Sequence, residues 1–183
     1  MKYIKFIVAS YLLILFSACG NDVNQKTGKS QEAIREELLK AVELQEAEMH
    51  KSPELNIAVA GVAIKAYYDF TTMFPEDSLT PDYIFKSAEI ATATKQYPQA
   101  LAYYQTIEEK YTSYSLYKES LFLQASLLDN FINDDAKAKL VYEKLIAKYP
   151  SSSYANDAKF AIGNLGKTDE ELHKEFMKKN GEK

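Results

Sequence analysis

Three segments of this chain carry the same four-residue stripe, and a stripe repeated in register leaves few folds open. Ala63, Tyr67, Phe70 and Phe74 form the first, closed by Pro75. Ala100, Tyr104, Ile107 and Tyr111 form the second, closed by Thr112. Ala138, Tyr142, Leu145 and Tyr149 form the third, closed by Pro150. The internal spacing is always 4, 3 and 4, which sets all four side chains on one face of a helix. The leading alanines stand 37 and 38 residues apart. A small alanine lets a neighbouring helix approach, and the tyrosine and the large apolar residue fill the space beyond it. The closing aromatic ends the helix against a turn.

Glycine and proline usage agrees with helices throughout. No glycine lies between Val62 and Ile162, and Pro53, Pro75, Pro81, Pro98 and Pro150 all fall outside the apolar-periodic runs. Proline is tolerated in a helix's first turn and just past its end. No strand-like alternation competes. The pattern predicts helices over Gln31–His50, Pro53–Phe74, Pro81–Lys95, Pro98–Tyr111, Tyr117–Phe131, Asp134–Tyr149, Tyr154–Leu165 and Asp169–Lys179. Ser52 and Thr80, each before a proline, are candidate N-caps. Thr168 with Glu171 fits a capping box, and Gly166 fits the end of the preceding helix. Asn133-Asp134-Asp135 reads as a helix cap rather than a cation loop.

A stripe recurring at this interval resembles the tetratricopeptide repeat. The matching positions are the alanine early in the second helix of each unit, the aromatic four later, the apolar residue three beyond and the closing proline. In the first helices, Ala88 and Ser126 supply the small residue. Ile84 and Phe122 stand where the family has tryptophan, and Ala91 and Asp129 where it has tyrosine. The units are divergent, and extra residues such as Ser113–Leu116 lengthen the turns. The resemblance spans roughly residues 44–165. It implies an all-α fold, a short right-handed solenoid of antiparallel helix hairpins with about eight helices, in which no unit buries its stripe alone.

The other end of the sequence speaks to location. Lys2 and Lys5 precede an apolar run from Phe6 to Phe16, then Ser17-Ala18-Cys19. A basic start, a short apolar stretch and small residues make a secretory signal peptide. The run is about eleven residues, short of the roughly 20 that cross a bilayer core. Cys19, the only cysteine, follows the small pair as in the lipobox of bacterial lipoproteins, which it resembles; Phe16 replaces the usual aliphatic residue. The domain organisation expected is a lipoprotein signal peptide at 1–18, a flexible tether at 19–29 and a helical repeat domain at 30–183. The resemblance implies acylation at Cys19 and a bacterial cell-envelope location, at the outer membrane facing the periplasm.

Chemistry is sparse. His50 and His173 lie among charged residues and supply too few ligands for zinc. No phosphate-cradling glycine loop, nucleophile elbow or Cys–His pair occurs. No catalytic residue, metal site or cofactor is expected. Formal net charge is −4; residues 1–18 hold two lysines and no acid, so the remainder carries −6. An acidic surface without Lys/Arg clusters excludes nucleic acid as a partner. Tyr67, Tyr104, Tyr142 and Tyr149 belong to the core by their stripe positions; Tyr68, Tyr103, Tyr114 and Tyr117 are open to either core or surface.

In such repeats the first helix of each unit lines the concave face. Counting from Pro81 and Glu119 as unit starts, that face includes Phe85, Glu89 and Thr92, then Leu123, Leu127 and Asn130, a groove suited to a peptide. The function expected is a membrane-anchored protein-binding scaffold, or an accessory subunit of an envelope complex, whose partner is another envelope protein or a peptide segment. The combination is similar to repeat-bearing lipoproteins that serve β-barrel assembly and to the periplasmic repeat protein of the Tol-Pal system. Two other readings stay open. One is a lipoprotein binding glycans or small ligands through exposed tyrosines. The other is a homo-oligomer joined through an Ile34, Leu38, Ala41 and Gln45 stripe on Gln31–His50.

Overall fold

The computed structural model describes residues 28–52, 56–179 and 181. Cys19, the apolar run before it and most of the tether lie outside them. Among the described residues there are eight α-helices and no strand: α1 Gln31–Met49, α2 Ile57–Met73, α3 Thr80–Ala93, α4 Tyr97–Lys110, α5 Tyr117–Leu127, α6 Asp135–Lys148, α7 Ser153–Asn164 and α8 Asp169–Lys179. From α1 to α7 each helix packs on the next, and α5 also reaches α7. This is the short solenoid of helix hairpins that the stripe predicts.

The three stripe alanines, Ala63, Ala100 and Ala138, are fully buried, and Tyr67, Tyr104 and Tyr142 are sealed beside them. Tyr149 is half-buried at the edge of the same core. One cluster, built on Val42, Ala63, Tyr67, Phe70 and Tyr83, joins α1 and α2 to α3. A larger one runs from α3 to α7, and Ile90 touches both. Of the Ile34, Leu38, Ala41 and Gln45 stripe of α1, Leu38 packs against the first cluster and the other three are half-buried.

Several local expectations shift. The second helix starts at Ile57, where the Asn56 side chain accepts from the Ala58 and Val59 amides; Pro53 lies outside the described residues. Thr80 is the first residue of α3 rather than its cap. It is buried, and its hydroxyl donates to the Phe74 carbonyl at 2.5 Å, so it closes the end of α2. Asp134 caps α6 by accepting from the Lys137 amide at 3.1 Å. The Thr168–Glu171 capping box forms as expected, and Gly166 ends α7 in a left-handed conformation (φ +72°).

The register of α5 also needs correction. Ala125 and Leu121 are fully buried, whereas Ser126 and Phe122 are half-exposed. Ala125 and Leu121 therefore correspond to Ala88 and Ile84, 37 residues earlier. From Ala88 to Ala100 is 12 residues, and from Ala125 to Ala138 is 13. The extra residue lies where α5 runs into a π-helical turn, Leu128–Ile132, ended by Asn133 at φ +58°. A π turn accommodates one inserted residue without breaking the helix, which accounts for the period of 38 after one of 37.

Candidate binding cleft

The corrected register redraws the concave face. Phe85, Glu89 and Thr92 of α3 correspond to Phe122, Ser126 and Asp129, not to Leu123, Leu127 and Asn130. Phe85 and Leu127 are only 5% and 2% exposed. Both are core residues: Phe85 packs edge-on to Tyr104, centroids 6.0 Å apart. Neither offers a surface to a ligand. Leu123 is half-buried against the core. Glu89 and Asn130 are exposed and Thr92 is half-exposed, its hydroxyl donating back to the Ala88 carbonyl. Sequence spacing missed Phe122, Ser126 and Asp129 because the count began from Glu119, one residue late; the buried alanine, Ala125, was the available marker.

These residues line a cleft of about 730 Å³ at the C-terminal end of the array. Phe122, Ser126, Asp129 and Asn130 form its floor, with Tyr142 beneath. Phe160 and Ala161 of α7 form one wall, and Leu172 and Phe176 of α8 the other. Phe160 is 76% and Phe176 62% exposed, large apolar side chains left at the mouth. Phe122 is held by Tyr142 and Tyr154, centroids at 5.8 and 5.5 Å. The π turn places Asp129 and Asn130 at the floor, and Asn130 donates its amide to the Ser126 carbonyl at 3.0 Å. Partial burial, helped by Asp135, raises the Asp129 carboxyl above its ordinary range. Lys167 pairs with Glu175 at 2.8 Å across the turn into α8. His173 also lines the cleft and is exposed. Apolar anchors with a few polar groups around them suit a peptide side chain or a short helix.

A second cleft, about 790 Å³, lies between the α2–α3 and α4–α5 loops. Its tyrosines are engaged internally. Tyr111 donates to the Pro75 carbonyl at 3.0 Å and Tyr114 to Asp82 Oδ1 at 2.7 Å. Of the open tyrosines, Tyr117 is core, Tyr103 half-buried beside Gln99, and Tyr68 exposed. No group of three or more His, Cys, Asp or Glu converges to hold a metal among the described residues. Within the same residues no helix is long and apolar enough to cross a membrane.

The floor of the first cleft coincides with the segment that has recognisable relatives. Residues 119–152 match the tetratricopeptide repeat family. The match takes in most of α5, the π turn and all of α6, the third hairpin of the array. Tetratricopeptide repeats typically bind other proteins or peptides and do not catalyse reactions, using the concave surface that stacked hairpins create. No curated protein matches the chain.

Proposed function

We propose that this protein is a protein-binding scaffold that receives a peptide segment of a partner in the cleft between α5, α7 and α8. The observation that carries this reading is the placement of Phe160 and Phe176, exposed at the mouth of a cleft floored by the tetratricopeptide repeat segment. We further propose that Cys19 carries a lipid and that the scaffold works at the bacterial envelope, as an accessory subunit at the outer membrane facing the periplasm. The Lys2–Cys19 pattern supports that part.

The test is site-specific photocrosslinking in the native envelope. A crosslinker at Asn130, on the cleft floor, should give one dominant protein adduct. The same group at Glu143, exposed on α6 away from the cleft, should not. Equal adducts from both positions refute the cleft.

A further inference from the structure

Residues 170–179 of α8 stand apart from the packing that joins α1 to α7. Neither core cluster takes in any of them. Among the described residues, none of their side chains makes a hydrogen bond, ion pair or ring contact with residues 28–164. Lys174 pairs with Glu170 inside the helix, while Glu171 and Glu175 turn back to Thr168 and Lys167. No polar or ring contact beyond the turn at residues 165–168 therefore holds α8. That turn is fixed to the array. The Lys167 amide donates to the Asn164 carbonyl at 3.1 Å. Gly166 lies so close to α6 that a side chain there would meet Asp135 Oδ2 at 3.0 Å. The root of α8 is firm and the helix beyond it is loose.

The edge that α8 turns to the cleft nevertheless matches the wall opposite. Going away from the turn, α7 presents Ala161, Phe160 and Asp157, and α8 presents Leu172, Phe176 and Lys179; all six line the cleft. Apolar faces apolar beside the turn, phenylalanine faces phenylalanine next, and an anion faces a cation at the far end. Asp129 on the floor adds a second anion. Among the described residues, Asp129, Asp157 and Lys179 make no ion pair or hydrogen bond. Phe160 and Phe176 stay 76% and 62% exposed across a gap of about 730 Å³. Closing that gap buries both rings and brings opposite charges together. It breaks no polar or ring contact, because α8 has none to lose. The short turn also keeps α8 at a high effective concentration over the cleft.

We infer that α8 is a strap that swings about the turn at residues 165–168 and closes onto α7 and the cleft floor. The arrangement described above is its open form. Closure is a property of the chain alone. Its consequence, a cleft shut until a partner's segment displaces α8, rests on the cleft reading above. A shut cleft weakens apparent affinity in proportion to the fraction of molecules that are open.

Double electron–electron resonance on the full chain tests closure. Cys19→Ser leaves no native cysteine, and nitroxides at Glu143→Cys and Lys174→Cys report the distance from α6 to α8 from positions outside the cleft lining. Two distance populations should appear. Phe176→Glu should deplete the shorter one about tenfold or more, since closure would then bury a charge against Phe160. Lys179→Glu should deplete it too, and adding Asp157→Lys should restore it. A single distance that Phe176→Glu leaves unchanged makes α8 a fixed wall and overturns the inference. So does a broad distribution that no variant alters, because α8 then swings without a seat. Gating has its own readout. In the chain with the photocrosslinker at Asn130, a disulfide between Asp157→Cys and Lys179→Cys should cut the protein adduct about tenfold, and reduction should restore it. An adduct unchanged by the formed disulfide overturns the gate. No adduct at Asn130 in otherwise unaltered protein fails the cleft reading and the gate with it, while the resonance distances still decide closure.

Discussion

Gln124 Nε2 donates to Glu108 Oε2 at 2.8 Å, and Lys144 holds the other oxygen of that carboxylate at 2.6 Å. Three helices, α4, α5 and α6, thus meet on one carboxylate. The amide's own oxygen, Gln124 Oε1, accepts no hydrogen bond although the side chain is only 2% exposed. A buried acceptor left unpaired costs about 1–3 kcal/mol, while the bond to Glu108 returns about the same. Gln124→Met, close in volume and without polar atoms, should therefore change urea-denaturation stability by less than about 1 kcal/mol. Glu108→Ala, which leaves the buried Gln124 amide without its acceptor, should cost about 1–3 kcal/mol. If Gln124→Met is the costlier of the two, this account of the junction is wrong.

The first three helices meet in the same way on Glu46. Its Oε1 accepts from the Tyr67 hydroxyl at 2.8 Å and from Lys86 Nζ at 2.6 Å. Partial burial pushes the Glu46 carboxyl up, but the bonds from Lys86 and Tyr67 outweigh burial and hold it below its ordinary 4.5. A lowered carboxyl stabilises the folded state above that ordinary value and ceases to do so as pH falls through the lowered one. Glu46→Gln should be less stable than wild type at neutral pH, and the gap should close as the solution is acidified below the ordinary 4.5 and through the lowered value. A gap of constant size down the whole range would show that the charge is not what matters.

Ala100 and Ala138 are fully buried where paired helices approach closely. Leucine at either position adds three carbons to a filled interface, and overpacking of this kind costs about 1–3 kcal/mol. Thermal melts should fall in both variants. Lys139→Leu, next to Ala138 but exposed, should melt close to wild type. Unchanged melts for both alanine variants would remove the shared stripe as the basis of the fold.

The stripe made the architecture legible because its alanines and tyrosines face a helix partner at every repeat, and local periodicity reports that directly. The groove was harder to read. The first helices lack the family's usual aromatics, so their register rested on counting from a boundary. A one-residue error rotates a helix by about 100°, enough to exchange Phe122 and Ser126 for Leu123 and Leu127. The π turn was also hidden, since nothing in Leu128-Asp129-Asn130-Phe131-Ile132 distinguishes it from an ordinary helix end. The wall that α8 supplies depends on where a polar, weakly packed helix folds back. Its own sequence, mostly charged, carries little information about that.

Lipid attachment at Cys19 makes a separate prediction. Wild type should partition with membranes, and Cys19→Ser should be released to the soluble fraction or accumulate with residues 1–18 still attached. Mass spectrometry of the mature N-terminus distinguishes those outcomes. A variant that fractionates and migrates like wild type defeats the lipid anchor and leaves the cleft reading intact.

The cleft itself is best tested by two substitutions that leave the core alone. Phe160 is largely exposed, so Phe160→Glu removes little buried area and should alter stability by less than about 0.5 kcal/mol. It nevertheless places a charge where an apolar anchor would seat, beside Asp157 and across from Glu175. Capture of the partner through Asn130 should fall about tenfold or more, because an unpaired charge would have to be buried on binding. Glu89→Lys probes whether the bound segment extends along the array to α3. Desolvation and the neighbouring Glu119 raise the Glu89 carboxyl above its ordinary value, so a lysine there relieves repulsion and should be tolerated in the free protein. A segment confined to the α5–α7–α8 cleft leaves capture unchanged in Glu89→Lys, and one running the length of the concave face is weakened by it. If Glu89→Lys abolishes capture while Phe160→Glu binds as wild type does, the partner lies over α3 and the cleft assignment fails. Circular dichroism on both variants keeps a loss of folding from being mistaken for a loss of contact.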